Sequence, residues 1–406
     1  MKYLLNFARY LLAIVFIFSG FVKAVDPMGG AIKIEDYFNA FGLSAFNQVA
    51  FSLSVLLALT EFMVGYLLLF KIQSKLASLG VLIFMGIFTP LTLYIAIFNP
   101  VTDCGCFGDA IKISNWATFF KDLALLPLSI FVFIRHKNIN TTMASWKQWT
   151  VGCWGVLIIF FVVFHALRYE PLMDFRPYAV GTDIKKGMSI PEDAEQPEYE
   201  TTFILEKNGV TKEFDVDNYP YNDSTWIFVD SKTKVIREGY QPPIKDFVLQ
   251  TLQGDIVTDH ILNDAASSIL VIAPKLDQMD KGAADKLMGV SHLCLQHNIP
   301  FYLATSSLQT DIERFEQREQ VGFSYLTGDE TMLKTIVRSN PGILVINNGT
   351  IVGKYNLNNL PSDNELWNPI SISLRDMRHQ NNQLTVLTLI FATLLLVTIL
   401  YKNNKH

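Results

Sequence analysis

A chain of 406 residues that is 50% hydrophobic, 13% aromatic and only 17% charged is too apolar for an ordinary soluble protein and too charged for a bare membrane bundle. It therefore divides into a membrane part and a water-soluble part. A formal charge of -5, with no long run of lysine or arginine, excludes nucleic acid as a partner.

A helix needs about 20 mostly apolar residues to cross a hydrocarbon core. Six segments reach that length, near 6–24, 48–70, 77–98, 116–134, 150–167 and 383–401. The first sits where a signal peptide would. Its apolar stretch is longer than the usual h-region of about 7–15 residues and no small-x-small site precedes Asp26, so it reads as a retained span.

Lys2 and Arg9, then Lys71 and Lys75, then Arg135, Lys137 and Lys147 mark the cytoplasmic ends by the positive-inside rule. The loop 25–47, the stretch DCGCFGD at 103–109 and everything from 169 to about 381 then face outward. Lys402 and Lys405 bring the C-terminus back inside. The expectation is a multi-pass protein of the bacterial inner (cytoplasmic) membrane, with both termini cytoplasmic, a large periplasmic domain and the lipid bilayer as one partner.

Residues 1–168 read as a bundle of five spans packed through small residues such as Gly65, Gly80, Gly86 and Gly155. Residues 169–197, rich in proline, glycine and charge, read as a linker laid on the bundle's outer surface, with no regular structure. From 198 to 242 the chain is β-rich: alternating runs flank Asn208-Gly209 as a hairpin, and a second strand pair turns at Ser231-Lys232-Thr233-Lys234. Residues 243–362 alternate strand and helix, which implies an α/β sheet covered by helices. A linker at 363–381 leads to the last span at 382–402.

Cys104 and Cys106 flank a single glycine. Alpha carbons two residues apart can fall inside the disulfide limit of about 7 Å, but the small ring strains the bond. Gly105 helps, because it adopts backbone angles closed to other residues. A strained disulfide has a raised reduction potential, which suits a relay better than a staple. The competing readings are a structural turn, a metal site with Asp103 and Asp109, or two idle thiols. Metal is set aside, since only two soft ligands are local and His260, His292 and His297 lie far along the chain.

Lys23 ends the first span at the depth of the dithiol, where a cation lowers a thiol's pKa. Snorkelling to the interface, or a salt bridge with Asp26, is the plainer reading. Glu61 lies mid-span, a costly position that usually faces the bundle interior. With Asp122, beside Lys121, it either relays protons or hydrogen-bonds across helices to Thr89, Thr92 or Tyr94. Cys153 lies a membrane thickness from Cys106, and Cys294 reads as a small buried hydrophobe. His165, near the outer end of the fifth span, needs no role at the site. Asn340-Pro341 is a candidate cis peptide.

The run Phe18-Ser19-Gly20-Phe21-Val22-Lys23 into Asp26-Pro27, with Glu61 and Asp103-Cys104-Gly105-Cys106-Phe107-Gly108, resembles the DoxX and MauE group of membrane proteins over about residues 1–135. That resemblance implies a membrane α-helical bundle with a vitamin K epoxide reductase-like four-helix core plus further spans, and thiol chemistry outside the cytoplasm. MauE itself is associated with maturing a disulfide-rich partner.

Residues of about 243–362 resemble extracytoplasmic α/β thioredoxin-like domains of the TlpA type. Asp246 to Gly254 is similar to their entry strand, SSILVIAP to the strand before the active site, and Ser339-Asn340-Pro341-Gly342 to the cis-proline loop. Where that group carries W-C-x-x-C, this chain has Ala273-Pro274-Lys275-Leu276-Asp277-Gln278, so the domain has no thiol nucleophile there. Asn340 and Pro341 are then expected to grip a partner.

The expected function is a thiol–disulfide redox protein. It passes electrons from partner dithiols through Cys104 and Cys106, served by Lys23, Glu61 and Asp103. The acceptor is a membrane quinone, a cofactor that rests on resemblance alone. The rival is an inert membrane scaffold or a subunit of an envelope complex, binding extracytoplasmic proteins through its thioredoxin-like domain. A third class, a small-molecule or lipid transporter, requires a continuous polar cavity around Glu61.

Overall fold

The computed structural model describes residues 1–360 apart from 102, 142, 170, 197, 208, 216–217, 222, 224, 238, 264–266, 281 and 358–359, and residues 385–400 apart from 387, 394 and 398. The membrane part comprises α1 (Lys2–Val25), α2 (Pro27–Ala40), α3 (Ala50–Leu69), α4 (Ser74–Phe98), α5 (Asn115–Ile134) and α6 (Ser145–Arg168). All but α2 are long and apolar enough to cross a membrane. Helix α1 packs on α3 and α5, and α4 packs on the same two, closing a four-helix ring with α6 against α1 and α3.

The segment 25–47, read from sequence as a loop, holds α2 and a 3-10 turn at Ser44–Val49. The Asp26 carboxylate caps α2 by accepting the Gly29 N–H at 3.0 Å, and Pro27 occupies the first turn where no N–H is needed.

Glycine sets the spacing of α1 and α3. A Cβ on Gly20 would stand 2.3 Å from the Phe62 nitrogen, and one on Gly65 would stand 2.7 Å from the Ile17 nitrogen. Backbones this close leave no room for a methyl group, so Gly20→Ala should cost about 1–3 kcal/mol of overpacking. Gly86, expected at a contact, has nothing within 4 Å of its would-be Cβ. Unfolding in detergent should therefore show a lower midpoint for Gly20→Ala and none for Gly86→Ala; equal midpoints would refute this account of the helix pair.

The expected last span, 382–402, lies partly and the linker 363–381 wholly outside the described residues. The described portion holds an apolar helix, Thr388–Val397, against α6. Trp154 Nε1 donates to Thr393 Oγ1 and Lys147 Nζ to the Leu400 carbonyl, each at 3.1 Å, so this helix runs antiparallel to α6.

The linker after α6 does more than lie on a surface. Leu172 is buried in the bundle core, whereas Tyr178 and Ile184 enter the core of the α/β domain. A short helix, α7 (Ile184–Met188), interrupts it. The apolar residues of the linker thus stitch two cores together, which its proline and glycine content conceals.

Next come β1 (Glu198–Lys207), β2 (Val210–Phe214) and β3 (Ile227–Arg237), an antiparallel sheet in the order β2-β1-β3. The turn expected at Ser231–Lys234 does not form. Strand β3 runs straight through it, with Lys232 opposite Thr202 and Thr233 opposite Thr201. Those four residues lack the Gly, Asn or Pro that a tight turn requires, and the long β1 offers them a continuous partner.

The remaining elements are α8 (Thr258–Asn263), β4 (Ser267–Ile272), α9 (Ala283–Gln296), β5 (Phe301–Thr305), α10 (Gln309–Glu319), β6 (Tyr325–Thr327), α11 (Glu330–Ile336), β7 (Gly342–Asn347) and β8 (Thr350–Asn356). They form a sheet in the order β6-β5-β4-β7-β8, parallel among β4, β5 and β6 and antiparallel at β7 and β8. Strand β4 is apolar on both faces: Leu270 and Ile272 enter one core, Ile269 and Val271 the other.

Candidate functional site

The α4–α5 connection carries the dithiol. Cys104 and Cys106 are free thiols with their sulfurs 2.8 Å apart, both half-buried. Gly105 between them has φ +64, a left-handed angle that folds the two sulfurs onto one side. Its N–H bonds Asp103 Oδ1 at 3.0 Å, and Asp103 Oδ2 accepts from Lys33 Nζ at 2.8 Å. One turn further along α2, the Tyr37 hydroxyl lies 2.8 Å from the Cys104 carbonyl. Lys33 and Tyr37, spaced i and i+4, therefore clamp the loop from one helix face.

Beneath the loop lies a buried ion pair. Glu61 is fully buried and Lys23 is 8% exposed, with Lys23 Nζ 2.8 Å from Glu61 Oε2. The other two ammonium hydrogens reach Ser19 Oγ at 2.7 Å and the Cys106 carbonyl at 2.8 Å. The Ser19 hydroxyl stands 2.7 Å from both Glu61 Oε2 and that same carbonyl. The pair thus anchors the backbone of Cys106 to α1 and α3. Lys23 neither snorkels nor pairs with Asp26.

Glu61 and Asp122 also depart from the expected cross-helix bonds. Thr92 donates within its own helix, to the Phe88 carbonyl at 2.8 Å. Asp122, 2% exposed, pairs with its neighbour Lys121 at 3.0 Å, and its Oδ2 has no hydrogen-bond partner among the described residues. The Lys121 ammonium in turn lies 4.6 Å from the centre of the Phe107 ring. Ser19, Lys33, Tyr37 and Lys121 are the members of this site that sequence reasoning did not single out. The signal for two of them was present, since Asp26-Pro27 is a helix start that puts Lys33 and Tyr37 on one face.

The sulfurs are not equivalent. A hydrogen bond from the Cys106 thiol, helped by the Tyr37 hydroxyl, holds Cys104 below the ordinary thiol value against the opposing effect of burial. Cys106 is pushed well above it, first by giving that hydrogen bond and then by burial. The pair gives up one proton readily and keeps the other.

The α/β domain is fixed to this end of the bundle. Arg338 grips Asp26 in a fork, Nε to Oδ1 at 2.9 Å and Nη2 to Oδ2 at 2.7 Å. Burial alone would raise the Asp26 carboxyl, but the Arg338 charge leaves it below the usual carboxylate value. Asp174 of the linker bridges Arg176 at 2.6 Å and Lys354 at 2.8 Å, and Asn356 Nδ2 reaches the Arg168 carbonyl at 2.8 Å. Two residues beyond Arg338 the Asn340-Pro341 bond is cis, and Asn340 Nδ2 holds the Lys275 carbonyl at 2.7 Å. That bond joins the proline loop to the Ala273–Gln278 segment. A cleft of about 310 Å³ opens between α2 and the domain, bordered by Lys33, Asp36, Lys112, Lys245, Asp246 and Arg338.

The structure therefore gathers Lys23, Glu61, Asp103, Cys104 and Cys106 into one cluster and sets Asn340 and Pro341 in the docked domain. Cys153 is exposed on α6 and His165 packs against Phe161 and Tyr169, outside the cluster. Cys294 is buried beside Leu287 and Val290, where desolvation pushes its thiol up to about 12.

Residues 1–135 match the family described as Methylamine utilisation protein MauE. The matched segment ends just after α5, so it contains the dithiol loop and each charged group around it but nothing of the α/β domain. Residues 199–238, the three-stranded sheet, match a family described as a domain of unknown function (DUF8463). Neither a curated protein nor a solved structure matches the chain.

Proposed function

We propose that this is a membrane thiol–disulfide redox protein whose Cys104–Cys106 pair exchanges electrons with proteins on the outer face of the bacterial inner membrane. The observation that carries the reading is the contact of two sulfurs, 2.8 Å apart, on a loop tied down at both cysteine carbonyls. A plain structural turn would need no such fixing of both cysteine carbonyls, nor one thiol made more acidic than its neighbour.

In the oxidised state a partner thiolate attacks the Cys104–Cys106 disulfide, giving a mixed disulfide and freeing one thiolate of the pair. The partner's second thiolate then attacks the mixed disulfide. The partner leaves as a disulfide, and the pair, with two electrons and two protons gained, is the dithiol seen here. A quinone bound beside the loop would supply the acceptor, taking up two electrons and two protons so that the disulfide is regenerated. Glu61, paired with the Lys23 that holds the Cys106 carbonyl, and Asp122, beside Lys121, are the buried acids that would hold or release those protons.

We read the outer domain as thioredoxin-like without its cysteines, on the strength of the sheet order β6-β5-β4-β7-β8 and the Asn340 bond that ties the proline loop to the Ala273–Gln278 segment. The ring of α1, α3, α4 and α5 likewise supports a vitamin K epoxide reductase-like core. The Asp26–Arg338 fork favours a second reading, in which the chain is a rigid scaffold of an envelope complex and its thiols are idle.

Trapping separates the two. With Cys106→Ala in cells, Cys104 should accumulate mixed disulfides with outer-face proteins, released by reductant. If Cys106→Ala traps nothing while growth is unchanged, the scaffold reading replaces the redox one.

A further inference from the structure

We infer that α2 couples docking of the α/β domain to the shape of the dithiol loop: the domain grips the start of this helix, and the helix holds the first cysteine in place. The coupling stands whether or not the thiols pass electrons.

Apolar contact anchors α2 poorly, since of its 14 residues only Pro27 and Ala31 are buried. Polar ties therefore carry much of its placement, and they run in two directions. At the start, the Asp26 carboxylate accepts from Arg338 Nε and Nη2 of the domain while it caps the helix through the Gly29 N–H. Further along, Lys33 Nζ lies 2.8 Å from Asp103 Oδ2 and the Tyr37 hydroxyl 2.8 Å from the Cys104 carbonyl. Gly29, Lys33 and Tyr37 are spaced by four and so lie along one stripe of the helix.

Both junctions fit closely. A Cβ on Gly29 would stand 2.9 Å from Arg338 Nη2, and one on Gly105 would stand 3.3 Å from the Lys33 side chain. A shift of the helix start is then passed on to the loop, because packed groups at this distance leave little room to absorb it. The two cysteines do not depend on α2 equally. Lys23 and Ser19 hold the Cys106 carbonyl from below. Among the described residues, the hydrogen bonds that reach Asp103 and Cys104 from outside the loop come from α2. Undocking the domain thus frees Cys104 to move away from a Cys106 that stays where it is.

The linker is a rival path, because Met173, Asp174 and Phe175 border the same small cavity as Lys33, Gly105 and Gly108. Two sets of variants separate the paths. The full chain is kept reduced in detergent, and deuterium uptake by residues 103–110 is compared with uptake by α4, alongside proteolysis of the linker. Arg338→Met should speed uptake in the loop at least about threefold and leave α4 unchanged. A coupling free energy is reciprocal, so Lys33→Met with Tyr37→Phe, whose hydrogen bonds run to the loop, should speed linker cleavage by a similar factor. Adding Arg338→Met to that pair should then leave loop uptake where the pair put it. Loop uptake unchanged by Arg338→Met overturns the coupling, whatever the linker does, and so does linker cleavage indifferent to the Lys33 and Tyr37 changes. An Arg338→Met effect that survives in full in the triple variant also overturns it, since the linker and not α2 would then be the carrier.

Discussion

Glu61→Leu is expected to destabilise the bundle by about 3–5 kcal/mol, the cost of leaving a buried lysine without its partner. Lys23 has little access to water, because it is only 8% exposed and is held against α1, α3 and the Cys106 loop. Lys23→Met should be comparably harmful, since it strands a fully buried carboxylate whose Oε1 already lacks a hydrogen-bond partner among the described residues. The double variant Lys23→Met with Glu61→Leu removes both charges at roughly constant volume and should recover most of the loss.

Unfolding of the three variants in detergent measures this directly. Single-variant losses below about 1 kcal/mol, or a double variant no better than either single, would mean that the pair does not hold the bundle together. The double variant should still show altered alkylation of Cys106, since Ser19 alone then holds its carbonyl.

Arg338→Met is expected to weaken docking of the α/β domain by about 2–4 kcal/mol, because it deletes a bidentate charge-assisted contact and strands Asp26. Asp26→Ala acts on the same contact but also removes the cap of α2, so Arg338→Met is the cleaner variant. Limited proteolysis within the linker 169–197 is the readout, and cleavage should accelerate about tenfold or more. An unchanged cleavage rate would show that the domain is held elsewhere.

The same contact carries a pH signature. Asp26 and Asp174 both have carboxyls lowered from the ordinary 3.8 in the folded protein. Their contribution is therefore complete above that value and is lost as pH falls through the lowered one. Linker cleavage of the parent protein should rise as pH drops below about 4, and the rise should be smaller in Arg338→Met.

Much of this molecule is local and was legible in the chain. Apolar length alone located the five long helices, and alternation of short apolar runs with amphipathic ones located every strand and α-helix from Ser267 to Asn356, though not the 3-10 turn at Leu276–Gln278. These signals depend on neighbours a few residues apart, which the sequence prints side by side. The dithiol was equally visible, being a stretch of adjacent residues.

Partners were not. Lys23 reaches Glu61 across 38 positions, Lys33 reaches Asp103 across 70, and Arg338 reaches Asp26 across 312. Which carboxylate a buried lysine meets depends on how closely two helices approach, and that was settled by Gly20 and Gly65 removing the methyl groups that would hold α1 and α3 apart. Strand β3 ran through its expected turn for a related reason, because a partner strand outweighs weak local turn propensity. Composition and periodicity thus determined which elements exist and where the thiols lie; packing decided which charges surround them, because an ion pair in a low-dielectric interior is chosen by distance and not by order along the chain.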